Sequence, residues 1–202
     1  MNALLVTGCP GSGSRSVFES LRPFGLAGLE RTGAGELQRF EGRLLEGLDP
    51  SGDTAGAARQ LQPERHWQDE AAALLPAGPG LVGRASGGAA QRLGVWLAVR
   101  PDLVTVLVYD SAARLLSQHV ADGLPQSPQA IEAALRQWRD WNASLLRYHL
   151  EHPEHTLLVN ATRVIGRPSE LAEVLQARWG VPLSAPAKSQ QAPFQPEASE
   201  LL

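Results

Sequence analysis

Ala3-Leu4-Leu5-Val6-Thr7-Gly8-Cys9-Pro10-Gly11-Ser12-Gly13-Ser14-Arg15-Ser16-Val17-Phe18-Glu19-Ser20 decides the reading of the whole chain. Ala3 to Val6 is a continuous apolar run of strand length, the pattern of a strand covered on both faces. Gly8, Gly11 and Gly13 allow a sharp turn and a close backbone approach. Ser14 and Ser16 are the candidate caps of the helix that follows. Strand, glycine turn and helix start together predict an anion site, because unpaired N–H groups and the positive end of the helix dipole face the loop.

The Gly8-x4-Gly13 spacing matches the front of a Walker A loop, but Ser14-Arg15-Ser16 stands where a nucleotide hydrolase carries Lys and Ser/Thr. The phosphate-binding reading therefore rests on Gly11, Ser12, Gly13, Ser14, Arg15 and Ser16. A Gly/Ser turn with no ligand is the bland alternative.

Working outward, 202 residues suit one domain, and 43% hydrophobic with 19% charged residues are globular values. A net charge of −3 supplies no global basic field, so no nucleic-acid partner is expected. Lys188 is the only lysine; the remaining basic side chains are arginines. Cys9 is the only cysteine, which excludes an internal disulfide and a Cys-based metal cluster. Its place in the loop offers either a lowered thiol pKa or a small buried filler, and the filler reading is the simpler. No membrane partner is expected, since no apolar run approaches a membrane span and the amino terminus shows no leader pattern, so a cytoplasmic protein is expected.

Along the chain, strands alternate with helices. Residues 17–26 continue the first helix, stopped by Pro23 and Gly25. Residues 27–62 read as a variable insertion with a helical stretch from Glu36 to Leu48. Pro63 to Leu75 reads as a helix carrying His66, Asp69 and Glu70. Leu81-Val82 reads as a short strand running into Gly83-Arg84-Ala85-Ser86-Gly87-Gly88, and Ala89 to Val99 as a helix. Leu103 to Tyr109 is the strongest strand, apolar and β-branched. Asp110 and Ser111 lead into a helix with Arg114, Ser117 and His119. Pro128 to Leu150 repeats Ile131, Leu135, Trp138, Trp141, Leu145 and Tyr148 near a 3.6 period, with its tryptophans as core. Thr156 to Val159 is a further strand, and Ser169 is expected to cap a helix from Glu170 to Trp179. Residues 185–202 read as a flexible tail after a domain over 1–184. The expected fold is a three-layer α/β/α sandwich around a mostly parallel sheet, with a ligand at the strand ends over the first loop.

Four segments, spanning about residues 3 to 182, resemble the sulfotransferase family, which takes its sulfuryl group from 3′-phosphoadenosine 5′-phosphosulfate. Pro10-Gly11-Ser12-Gly13-Ser14-Arg15-Ser16 resembles the 5′-phosphosulfate loop. Leu103 to Ser117 resembles the strand, loop and helix that bind the 3′-phosphate. Trp138 to Tyr148 resembles the family's long helix. Leu157-Leu158-Val159 through Trp179-Gly180-Val181-Pro182 resembles its last strand and helix. The resemblance implies a P-loop-like fold, that nucleotide as donor, and a small-molecule or glycan acceptor. Ser12 to Ser16 would hold the 5′-phosphosulfate, and Arg114 with Ser117 the 3′-phosphate. Gly11 stands where members carry Lys or Arg, so Arg15 is the candidate catalytic cation. Tyr109 stands where the 3′-phosphate Arg is expected, and Asn160-Ala161-Thr162-Arg163 replaces an acidic turn. His66 is the first candidate base and His119 the second. His149, His152 and His155 read as a polar helix end, and no metal is assigned. Two other classes stay open. One is a nucleotide kinase or hydrolase, with Asp110 its sole acid at a strand end. The other is a non-catalytic member binding a partner or anion.

Overall fold

A computed structural model of the chain describes residues 3–9, 11–26, 100–124 and 127–184, together with 39, 40, 43, 65, 69, 70, 93, 96 and 97. Within these, strands β1 (Ala3–Gly8), β2 (Leu103–Tyr109) and β3 (Thr156–Asn160) form one sheet in the order β1-β2-β3. Both pairings are parallel, and Gly8 lies opposite Val108 while Tyr109 lies opposite Asn160. All three strands therefore run out at the same edge of the sheet.

The helices are α1 (Ser14–Leu21), α2 (Ala112–Ala121), α3 (Pro128–Glu151), α4 (Ala161–Ile165) and α5 (Pro168–Trp179). A 3-10 turn, Arg22–Phe24, follows α1 where Pro23 removes a backbone donor. Side chains alternate across the strands. Leu4, Val6, Val104, Val106, Val108 and Val159 pack with Val17, Phe18 and Leu21 of α1 and Leu171, Ala172 and Leu175 of α5. Leu5, Thr7, Leu103, Thr105 and Leu107 occupy the alternate positions, and they too are buried. The sheet is thus an α/β arrangement flanked by helices, with neither face of β1 or β2 left to water. Val181 and Leu183 extend the first cluster, and Ser184 N–H donates to Phe24 O at 2.9 Å, tying the end of the described chain to the turn after α1.

Three of the four expected strands appear with nearly the expected bounds. Some local expectations are corrected. Neither Ser14 nor Ser16 caps α1; Gly13, at φ 77°, is its N-cap. Ser169 lies inside α5, whose N-cap is Arg167, because Pro168 is pre-set for the first helical position. The segment Asn160 to Arg163 opens a short helix: Asn160 caps α4, its Oδ1 accepting from Arg163 N–H at 3.1 Å. The tryptophans of α3 are half-buried rather than core, and Leu145 is the buried residue of that helix. Among the described residues no helix is long and apolar enough to cross a membrane. The strand expected at Leu81-Val82, most of the insertion at 27–62 and the tail at 185–202 lie outside the described residues.

Candidate functional site

Three strand-to-helix crossings meet at the carboxyl edge of the sheet, and they are built differently. At β2–α2, Ser111 Oγ accepts from Arg114 N–H at 3.3 Å. At β3–α4, Asn160 Oδ1 does the same service. At β1–α1, the N-cap is a glycine, which has no side chain to accept from the first-turn amides. A helix start ordinarily leaves four N–H groups without partners inside the helix. The second and third crossings satisfy one of them with a side chain; the first supplies no such cap.

The loop between β1 and α1 is shaped by two left-handed glycines, Gly11 at φ 75° and Gly13 at φ 77°. Ser12 N–H closes the turn onto Cys9 O at 2.9 Å. Gly8 admits no side chain: a Cβ there would stand 2.2 Å from Ser12 Oγ and 2.4 Å from Val108 O. The close approach of β1 to β2 thus draws the loop over the end of β2. Ser12 Oγ is buried and has no hydrogen-bond partner among the described residues, where a polar atom ordinarily finds one. Ser14 is buried, Ser16 half-buried and Arg15 exposed on the first turn.

A second cation comes from α2. A Cβ at Gly13 would lie 3.8 Å from both Arg114 Cζ and Arg114 Nη2, and 3.0 Å from Ala161 Cβ. The Arg114 guanidinium therefore stands beside the N-terminus of α1, with Ala161 closing the neighbouring side. Asp110 holds it there: Arg114 Nε is 3.2 Å from Asp110 Oδ2. That carboxylate is buried and also accepts from Ser111 N–H at 2.7 Å, with Thr162 Oγ1 at 3.4 and 3.5 Å. Trp138 Nε1–H donates to Asp110 O at 3.1 Å, fixing the same strand end from α3.

The structure thus brings Gly11, Ser12, Gly13, Ser14 and Arg114 together. Ser117 is exposed one turn further along α2 and donates to Ala113 O at 3.0 Å. Arg15 is on the first turn of α1 but exposed, and His66 lies outside the described residues. Tyr109 is partly exposed on the far side of β2, lining a 270 Å³ hollow with Asn160, Arg163 and Arg167. A larger groove of about 890 Å³ opens at Gly11 and runs between α2 and α3 past Leu115, Gln118, Gln137, Trp141 and Ser144.

Burial pushes the Cys9 thiol up to about 12, outweighing its backbone hydrogen bond, so Cys9 is a buried filler and not a nucleophile. Burial, with the charge of Glu154 adding to it, also raises the Tyr148 hydroxyl, which donates to Leu93 O at 3.1 Å. His149, His152 and His155 gather around a polar helix end: His149 Nδ1 meets Thr156 Oγ1 at 2.7 Å, and Thr156 donates to His152 O at 2.7 Å. Among the described residues no group of His, Cys, Asp and Glu is arranged to hold a metal ion.

Sequence reading missed the role of Asp110, Ala161 and Thr162 at the loop. The Asp110-x3-Arg114 spacing was the available signal for the ion pair. Nothing local announced Ala161 or Thr162, because their approach depends on how β3 pairs with β2. The chain matches no protein-family model and no curated protein sequence.

Proposed function

We propose that this chain is a sulfotransferase-like protein of P-loop-like fold, whose β1–α1 loop takes the 5′ end of 3′-phosphoadenosine 5′-phosphosulfate. The observation that carries the reading is the Arg114 guanidinium beside Gly13, at the one helix start of the three that has no side-chain cap. Backbone N–H groups and a guanidinium on two sides of one hollow suit a tetrahedral oxyanion.

Asp110 favours sulfuryl transfer over a magnesium-dependent kinase or hydrolase. A metal-binding acid keeps its oxygens for the ion or its waters, whereas Asp110 is engaged by Arg114, Ser111 N–H and Thr162. In the transfer the sulfur–oxygen bond to the 5′-phosphate breaks while a sulfur–oxygen bond to the acceptor hydroxyl forms. The hydroxyl proton passes to a base, the role read for His66. 3′-Phosphoadenosine 5′-phosphate leaves with the negative charge it gains. The Arg114 guanidinium and the loop amides stabilise that charge. The groove opening at Gly11 has a volume within the usual range for small ligands and is the place for a small-molecule or glycan acceptor. A cytoplasmic setting goes with this reading.

Thermal-shift measurements with 3′-phosphoadenosine 5′-phosphate, ATP and GTP test it. Stabilisation by the first in preference to the others is expected, weakened more by Arg114→Ala than by Arg15→Ala, since Arg15 is the more exposed. Equal stabilisation by ATP or GTP that requires magnesium would instead support a kinase or hydrolase. No stabilisation by any nucleotide would leave a non-catalytic binding protein.

A further inference from the structure

Arg114 stands where elementary electrostatics disfavours it. A helix N-terminus carries about half a positive charge, so a guanidinium beside it is repelled when no anion lies between them. Its side chain is about one-third exposed. It is tied back by a carboxylate that is itself buried, at the end of β2. That carboxylate is held in turn by Ser111 N–H from the start of α2 and by Thr162 from α4.

We infer that Asp110 is a positioning residue for the anion site: with Thr162 it fixes Arg114 beside the α1 N-terminus, so that a ligand phosphate or sulfate meets a guanidinium already in place. This rests on the reading of the β1–α1 loop as the nucleotide site, and it adds a part that the loop motif does not contain. The arrangement also assigns a purpose to Gly13 beyond its backbone angle. A Cβ there would stand 3.0 Å from Ala161 Cβ and fill the space between the guanidinium and the amides. The ion pair lowers the rotamer entropy that Arg114 loses on binding a ligand. It also offsets the repulsion between guanidinium and helix start while no ligand is present. Removing the Asp110 charge therefore removes a tether that holds Arg114 beside α1, and the anion then meets a cation less firmly placed.

The test uses the full chain, labelled with ¹⁵N, as wild type, Asp110→Asn, Arg114→Ala and the double variant, with 3′-phosphoadenosine 5′-phosphate as the probe. Asp110→Asn is expected to weaken the probe about tenfold, the size of one charge-assisted hydrogen bond. Arg114→Ala weakens it at least as much, and adding Asp110→Asn to Arg114→Ala changes nothing further. Without ligand, Asp110→Asn is expected to shift the amide resonances of Gly13 and Ser14. Two results overturn the inference: wild-type affinity in Asp110→Asn, or an equal loss from that substitution in the Arg114→Ala background, which marks a general structural role. If wild type does not bind the probe, the nucleotide reading fails, and the ligand-free resonances alone decide the positioning role; unmoved Gly13 and Ser14 signals refute it. Should Asp110→Asn not fold, Thr162→Val replaces it, with a two- to threefold loss expected and no loss contradicting the inference.

Discussion

The first and second strand-to-helix crossings of this sheet solve the same geometric problem by opposite means. After β2, the chain turns into α2 through Ser111, whose hydroxyl satisfies a first-turn amide, while Asp110 behind it takes further hydrogen bonds. After β1, the chain turns into α1 through Gly13 with no side-chain oxygen supplied. The third crossing, through Asn160, follows the second. Two crossings are thus closed by their own side chains. The remaining one has no N-cap side chain, and a guanidinium from the second crossing's helix, that of Arg114, stands beside it. A helix start that supplied its own acceptor would compete with any bound anion; the glycine leaves that competition out.

The largest effect that would break this comparison belongs to Gly8. Its Cβ position is occupied by Ser12 Oγ and by the carbonyl of Val108, so neither strand nor loop yields without moving. Gly8→Ala is expected to destabilise the fold by about 3 kcal/mol, read as a lowered midpoint in urea unfolding. An alanine tolerated there without loss would mean that β1 and the loop do not approach β2 so closely.

Cys9 comes next. A thiol with its pKa at about 12 is almost wholly protonated at pH 8. Its alkylation by iodoacetamide in the folded protein is expected to be about a hundredfold slower, or more, than in the unfolded chain, because only the thiolate reacts. Fast labelling of the folded protein would show that the loop amides are turned onto the sulfur, and not left for an anion.

The caps supply the sharpest contrast. Gly13→Ala is expected to cost about 2 kcal/mol through its left-handed angle and its contact with Ala161, and to abolish nucleotide binding. Ser111→Ala and Asn160→Ala should each cost about 1 kcal/mol of stability, as lost caps do, while leaving binding in place. Denaturation and ligand titration of the same three variants separate the open crossing from the closed ones.

The smallest effect lies at the entry of β2. Arg100, buried, donates to both carboxylate oxygens of Asp102, at 2.8 and 2.9 Å, and holds that carboxyl below its ordinary value of 3.8. A lowered folded pKa adds stability that is complete above the ordinary value and is lost as pH falls through the lowered one. Asp102 is partly exposed, so the screened contribution is modest. Asp102→Asn should therefore lower the melting midpoint slightly at pH 7 and flatten its fall below about pH 4, without touching ligand affinity. This pair stands at the opposite end of β2 from Asp110 and Arg114 and serves as their control.

Much of the fold was legible because its signals are local. Leu103 to Tyr109 and Thr156 to Val159 are short apolar runs between turn residues, and both appear as strands within a residue of expectation. Pro128 opens α3 as the first helical residue after a serine, with the cap in place at Ser127. The loop glycines were legible for the same reason. Which residue caps α1 was not, because Ser14 and Ser16 are as good caps by type as any, and only the left-handed turn at Gly13 moves them inside the helix. The loop's neighbours were least legible. The Arg114–Asp110 pair is local, four residues apart, but the Thr162 contact and the place of Arg114 beside Gly13 depend on β1–β2 and β2–β3 pairings between distant parts of the chain. Tyr109, the last residue of β2, lines a hollow with Arg163 and Arg167 instead.

Titration of 3′-phosphoadenosine 5′-phosphate into ¹⁵N-labelled protein, followed by the backbone amides, tests the central claim most directly. Saturable shifts are expected at Ser12, Gly13, Ser14 and Arg15, absent in Arg114→Ala, with the amides behind Ser111 and Asn160 much less moved. Saturable shifts elsewhere with these loop amides still, or loop shifts that persist undiminished without the Arg114 guanidinium, would contradict it.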